Sequence, residues 1–216
     1  MPLTDVIIPC RNEEKTIGAI VRTFNMCPMI RSVIVSIDVD TIDNTAYVAS
    51  QAGGLVHLAL TKGKGQVIRA ALPFVDGTQT ILCDGDYGGL TTTHIESILG
   101  QGHIIGVPDF PQDEIIDSPV VKGNPEWFFR IANYWAQNSG FRNVPTHILE
   151  GLELHGYLVE TQVNMTVAAH KISTMMVPLP GLYSPWKMGE QRVREMLRDR
   201  AWGIQKGILR VNHDAN

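Results

Sequence analysis

Apolar residues in the first half of the chain fall into two alternating kinds of block. Asp5–Pro9, Val33–Ile37, Leu55–Leu60, Thr80–Cys83 and His103–Val107 are short apolar runs, all but Leu55–Leu60 rich in β-branched residues. Runs of this length predict strands, the first of them buried. Between them the period changes. Ile17, Ile20, Val21 and Phe24 fall at i, i+3, i+4, i+7, the stripe of a core-facing helix. A second helix is predicted from a cap at Asp43 or Asn44 to Gly53-Gly54. A third carries Val67, Ile68, Ala71 and Leu72, and a fourth opens with Thr93 and Glu96 at capping-box spacing. The β-α-β-α-β-α-β-α-β order predicts an α/β fold, a mostly parallel sheet with helices on both faces.

The second half is patterned differently. Pro108–Pro119 is irregular and acidic, so a loop is expected there. Asn124 and Pro125 then form a helix start followed by the stripe Trp127, Phe128, Ile131, Tyr134, Trp135. That stripe has core spacing, although one ring could also serve as a sugar platform. Thr146–His155 is predicted as a short helix closed by Gly156. Tyr157–His170 has apolar residues at Val159, Val163, Met165 and Val167, all an even number of positions apart, which predicts a strand with one wet face. Glu190–Gln205 is an amphipathic helix with Val193, Met196, Leu197 and Ala201 inward. The expected organisation is one α/β domain over residues 1–175 and a C-terminal helical extension over 176–216.

Composition narrows the function classes. With 216 residues, 44% hydrophobic and 19% charged, the chain can bury a globular core. Its formal net charge of −4 supplies no overall basic field for nucleic acid. Cys10, Cys27 and Cys83 are odd in number and lack CxxC spacing, which favours free thiols and a reduced, cytoplasmic setting. No basic n-region with an apolar h-region opens the chain, so no signal peptide is expected. No stretch approaches the roughly 18 apolar residues of a membrane span.

Candidate chemistry gathers at predicted strand ends, where parallel sheets bind ligands. Asp84-Gly85-Asp86 sets two carboxylates one residue apart directly after a strand. Such a pair suits Mg²⁺ or Mn²⁺, which prefer oxygen ligands, although surface turns also use this triplet. Lys62-Gly63-Lys64-Gly65 offers a cation and glycine amides at a helix start, fit for a phosphate, without the spacing of an ATP-binding P-loop. Asp38 could accept a hydrogen bond from a nucleobase or simply cap a turn. Asn12-Glu13-Glu14 could hold the nucleoside or act only as an acidic helix start. Glu150 is either an active-site acid or an exposed carboxylate. His170 alone reads first as a structural histidine. Lys187, Arg192, Arg194, Arg198, Arg200, Lys206 and Arg210 form a cationic end segment, ordinarily a solvated face, that could also meet a polyanionic acceptor.

Val6–Glu14, the Asp38 strand end, Gly63-Lys64-Gly65 and Asp84-Gly85-Asp86 stand in the order seen in GT-A-fold glycosyltransferases of the family 2 type, which this chain resembles. Gly63–Val67 and Gln162–His170 look more narrowly like glucosyl-3-phosphoglycerate synthases and the related mannosylglycerate synthases. The resemblance covers about residues 5–171 and implies a Rossmann-like GT-A domain using a UDP- or GDP-hexose. It implies that Pro9, Glu13 and Asp38 contact the nucleoside and Lys64 the nucleotide or its phosphates. Asp84 and Gly85 would face the sugar-nucleotide, and Asp86 and His170 would ligate Mg²⁺ or Mn²⁺. Transfer with retention is also implied. Asp84, Asp86 and Glu150 are the candidate catalytic residues, Glu150 for orienting the acceptor or stabilising positive character at the anomeric carbon. The segment Pro119–Pro125 lacks the arginine of the family's acceptor loop, and Lys171-Ile172-Ser173 lacks its Asn-Arg continuation. The donor half therefore transfers and the acceptor half does not.

The acceptor stays open between a small phosphorylated acid, a lipid phosphate and a macromolecule such as hydroxymethylated DNA. A homodimer is compatible with the sequence. A nucleotidyltransferase would share the layout, yet no Gly-rich loop with a basic residue follows the first strand. A non-catalytic nucleotide-sugar binder would keep Asp38 and Lys64 and have no need of His170.

Overall fold

The computed structural model describes residues 4–113, 117, 122, 136–154, 156 and 158–184. One seven-stranded sheet runs in the order β3-β2-β1-β4-β6-β5-β7. The strands are β1 (Thr4–Cys10), β2 (Ile30–Ile37), β3 (Leu55–Leu58), β4 (Gln79–Leu82), β5 (His103–Asp109), β6 (Arg142–Pro145) and β7 (Thr174–Tyr183). Strands β1 to β4 are mutually parallel, β6 runs against both β4 and β5, and β7 lies parallel to β5. Helices α1 (Ile17–Asn25), α2 (Thr45–Gln51), α3 (Lys64–Ala71) and α4 (Thr92–Ile98) fill the predicted crossovers. Two more, α5 (Thr146–Glu150) and α6 (Val159–Ala169), follow β6.

The apolar runs alternate between two cores because successive strand side chains point to opposite faces. Val6, Ile8 and Cys10 of β1 join Val33, Val35 and Ile37 of β2 against α1, α2 and α4. Ile7, Ile34 and Leu82 face the other way, against Ile68 of α3 and the apolar sides of α5 and α6. Phe141 stands edge-on to Tyr87 and also meets Phe24, with ring centroids 5.9 and 6.2 Å away. It thereby ties the chain entering β6 to the first core.

Three expectations need correction. Residues 159–169 form helix α6, not a strand. Positions 159, 163 and 167 are multiples of four apart, so they satisfy a strand's period of two and a helix's i, i+4 spacing equally well. Met165, inward on a strand, is 39% exposed on the helix. Second, α4 begins at Thr92 with Thr91 as its cap, and His94, not Glu96, completes the capping box. Third, a domain boundary at 175/176 would cut β7, which pairs with β5 from Thr174 to Tyr183. The predicted helices after Asn124 and over 190–205, with the aromatic stripe and the cationic end segment, lie outside the described residues.

Candidate active site

The strand order places the site. From β1 the chain winds outward through β2 to β3, then returns to place β4 on the other side of β1. The crevice beyond the carboxyl ends of β1 and β4 is thus a topological switch point, where open α/β sheets bind ligands. A cleft of about 310 Å³ opens there, and Pro9, Glu13, Asp38, Lys64, Asp84, Gly85 and Asp86 all line it.

The loops around this cleft brace one another. Asn12 adopts a left-handed conformation (φ 60°), and its side-chain oxygen accepts from the Ile42 amide at 2.8 Å. The Glu13 amide donates to Thr45 Oγ1 at 2.7 Å and the Glu14 amide to Asp43 Oδ2 at 3.1 Å. The turns after β1 and β2 therefore behave as one unit. Asp38, 5% exposed at the end of β2, accepts from the Asp40 amide at 2.9 Å and from the Gly63 amide at 2.7 Å. Gly63 (φ 96°) is the residue before α3, in a conformation that favours glycine. Asp38 thus shapes the turn that aims Lys64. Each carboxylate oxygen has a second lone pair, which leaves capacity for a nucleobase donor.

Lys64 Nζ sits 2.5 Å from both Asp84 Oδ1 and Glu160 Oε1. Burial alone would lower the pKa of this ammonium. The flanking carboxylates outweigh burial and raise it well above the usual lysine range, so Lys64 is a fixed cation. Glu160, in the first turn of α6, is 7% exposed. Nothing in the sequence marks it, because a strand over residues 157–170 gives no meaning to a helix start. Gly140 is required beside Asp84, since a Cβ there would lie 2.1 Å from Asp84 Oδ2. A Cβ on Gly85 would come within 2.7 Å of Cys10 Sγ. Burial, then the neighbouring Glu13 and Asp84, push the Cys10 thiol far up, and burial and Asp84 do the same for Cys83. Both remain neutral thiols, unsuited to act as nucleophiles.

The structure does not bring two expected residues into the cleft. His170 caps the far end of α6 and is exposed. Eleven helical residues span about 16 Å, and Glu160 holds the near end at Lys64. Thr174, four residues on, pairs with His103 at the start of β5, so His170 lies towards the amino edge of the sheet, away from Asp86. Glu150 ends α5, whose first residue, Thr146, donates to the Thr78 and Gly77 carbonyls at the amino end of β4. Glu150 is exposed and is not among the residues lining the cleft.

Among the described residues, no three His, Cys, Asp or Glu side chains are placed to hold a metal ion. Asp84 and Asp86 nonetheless supply hard oxygen donors to one cleft. This fits a Mg²⁺-type ion, which is often held by one or two carboxylates with the remaining positions taken by water and substrate phosphates.

No family model matches the chain. Protein RfbJ of Shigella flexneri is 41% identical over 81 residues, 38% of this chain, and the match covers 62% of that protein's length. Among solved structures, glucosyl-3-phosphoglycerate synthase from Mycobacterium tuberculosis, in complex with Mn²⁺, UDP-glucose and phosphoglyceric acid, aligns with a TM-score of 0.74. The identity is 16%, over 96% of this chain and 80% of that one. The same enzyme with Mg²⁺ and UDP aligns at TM-score 0.74 and 17% identity, over 95% and 79% of the two chains. The fold is the GT-A-type α/β fold expected from the sequence.

Proposed function

We propose that this protein is a metal-dependent glycosyltransferase that moves a hexose from a nucleotide-diphosphate sugar to a hydroxyl acceptor. The observation that carries this reading is the convergence of Asp38, Lys64 and the Asp84–Asp86 turn on one cleft at the switch point. Such a cleft offers a nucleoside-sized recess, a buried cation for phosphate and an oxygen-ligand pair in sequence along one ligand. UDP-glucose is the first donor to test, because the similar solved enzyme was captured with it.

In this reading the nucleoside lies along Pro9, Glu13 and Asp38, and the diphosphate reaches Lys64. Asp84 and Asp86 would hold Mg²⁺ or Mn²⁺, which when bound offsets charge on the diphosphate. Lys64 contributes a second positive charge without any change of protonation, because its carboxylate partners already keep it charged. Glu160 fixes the direction of that ammonium through its 2.5 Å contact. Retention of anomeric configuration follows the resemblance to the phosphoglycerate synthases. Small phosphorylated acids lead the acceptor screen, since phosphoglyceric acid occupies the similar enzyme.

Titration calorimetry with UDP, with and without Mn²⁺, tests the donor site. Tighter binding in the presence of metal is the expected outcome. Mn²⁺-dependent release of UDP from UDP-glucose then separates an enzyme from a binder. Metal-independent weak binding, with no turnover of any nucleotide sugar, would overturn the proposal.

A further inference from the structure

Thr16 occupies the N-cap position of α1, where a threonine hydroxyl ordinarily accepts a hydrogen bond from the first-turn amides. Here it makes no cap bond. Its hydroxyl instead lies 2.6 Å from the carbonyl oxygen of Gly85, to which it donates, across 69 positions of sequence. A weaker contact of 3.3 Å reaches the Glu13 carbonyl. The helix thus forgoes a stabilising cap, and the hydroxyl is committed to the residue between the two cleft carboxylates.

The surroundings explain what this bond controls. Gly85 is buried, and its backbone packs so closely on Cys10 Sγ and Glu13 Cγ that an added Cβ would stand 2.7 and 3.3 Å from them. A shift of the turn towards the β1 loop is blocked, and the Thr16 hydroxyl opposes a shift away from it. On the other side of Thr16, the Glu13 amide is fixed to Thr45 Oγ1, which is itself 2.5 Å from Asp43 Oδ1. One chain of contacts, from Asp43 through Thr45, Glu13 and Thr16 to Gly85, joins the nucleoside side of the cleft to its carboxylate side.

We infer that Thr16 is a positioning residue. By holding the Gly85 carbonyl, it sets the Asp84 and Asp86 carboxylates in register with the nucleoside-side loop, so that metal and nucleotide bind as one unit. The inference rests on the donor-site reading above. Its consequence is specific: loss of the hydroxyl weakens the coupling between metal and nucleotide while leaving binding of the nucleotide alone intact.

The test compares Thr16→Val, which keeps the shape and removes the donor, with Thr16→Ser, which restores it. UDP affinity is measured by calorimetry with and without Mn²⁺, and amide hydrogen exchange over residues 83–87 is followed in metal-free protein. Thr16→Val is expected to cut the Mn²⁺-induced gain in UDP affinity about five- to tenfold, the scale of one lost hydrogen bond. UDP binding without metal should stay within about twofold, and exchange over the turn should quicken. Thr16→Ser should return both readouts close to wild type. An intact metal-induced gain with unchanged turn exchange in Thr16→Val overturns the positioning role alone. Failure of Thr16→Ser to rescue also overturns it, by pointing to packing of the threonine methyl. Absence of any metal-induced gain in the wild type overturns the donor-site reading itself, and the inference falls with it.

Discussion

The two edges of the sheet use the same residue types to opposite ends. At the amino edge, Asp5 is fully buried, and the Arg31 guanidinium grips it through two contacts of 2.9 and 2.7 Å. Ser32 Oγ and the amides of Asp76 and Gly77 complete its shell at 2.5, 3.0 and 2.8 Å. Burial works against the charge of Asp5, but these donors prevail and hold its pKa below the usual carboxylate value. At the carboxyl edge, Asp84 and Asp86 are only partly buried and border an open cleft. A carboxylate enclosed by donors from its own chain is a structural element. One that borders a cleft keeps capacity for a ligand, and the side of the sheet decides which it becomes.

The largest effect should come from breaking the amino-edge pair. Asp5→Ala leaves Arg31 without its principal partner and two amides without an acceptor. A loss of about 3 kcal/mol is expected, at the low end for buried pairs because Arg31 is partly exposed. Urea unfolding measures it, and UDP affinity of the folded fraction should be unchanged.

His103, beside Thr174 at the same edge, sharpens the contrast through pH. Burial, and then the nearby Arg142 charge, lower its pKa from 6.5 to about 4. Between these values the unfolded chain binds the extra proton, so stability is complete above pH 6.5 and is lost as pH falls towards 4. The total is on the order of 3 kcal/mol. Asp5 adds a second loss at lower pH: its contribution is present above the ordinary carboxylate pKa and disappears as pH falls through its depressed folded value. Urea midpoints at pH 7 and pH 4.5 should differ clearly in the wild type, and less in His103→Gln.

Carboxyl-edge changes should act on ligand more than on fold. Asp86→Ala is expected to weaken UDP binding in the presence of Mn²⁺ about 100-fold, some 2.7 kcal/mol, with a melting temperature close to wild type. Unchanged affinity by calorimetry would remove Asp86 from the proposed metal site. Glu160→Gln is the mildest test. It keeps the shape and removes one charge from Lys64, so a loss of about tenfold in UDP affinity is expected, roughly 1.4 kcal/mol. Equal affinity in this variant would make Glu160 a purely structural partner.

The cleft at the carboxyl edge was legible because its residues follow strands that the apolar runs announce. Glu13, Asp38, Lys64 and Asp84 each stand within a few positions of a short apolar run, and strand ends on one edge of a parallel sheet converge of necessity. Residues reached by antiparallel or helical return paths were not legible. β6 is only four residues long, and its buried Arg142 masks the apolar signal of a strand. β7 contains two prolines and one glycine, and many of its side chains are exposed, as befits an edge strand.

Local period and strand-end chemistry, both readable along the chain, determined the alternating layers and the place of the cleft. The direction of residues 159–169 was decided only by tertiary packing. A spacing of four satisfies both helix and strand, and contact of Val159, Val163 and Val167 with the core around α3 and α5 selects the helix. That single choice carries Glu160 to Lys64 and leaves His170 at the opposite edge of the sheet. The same holds for Thr16. It stands at the N-cap position of α1, and the fold brings the Gly85 carbonyl near enough to claim its hydroxyl.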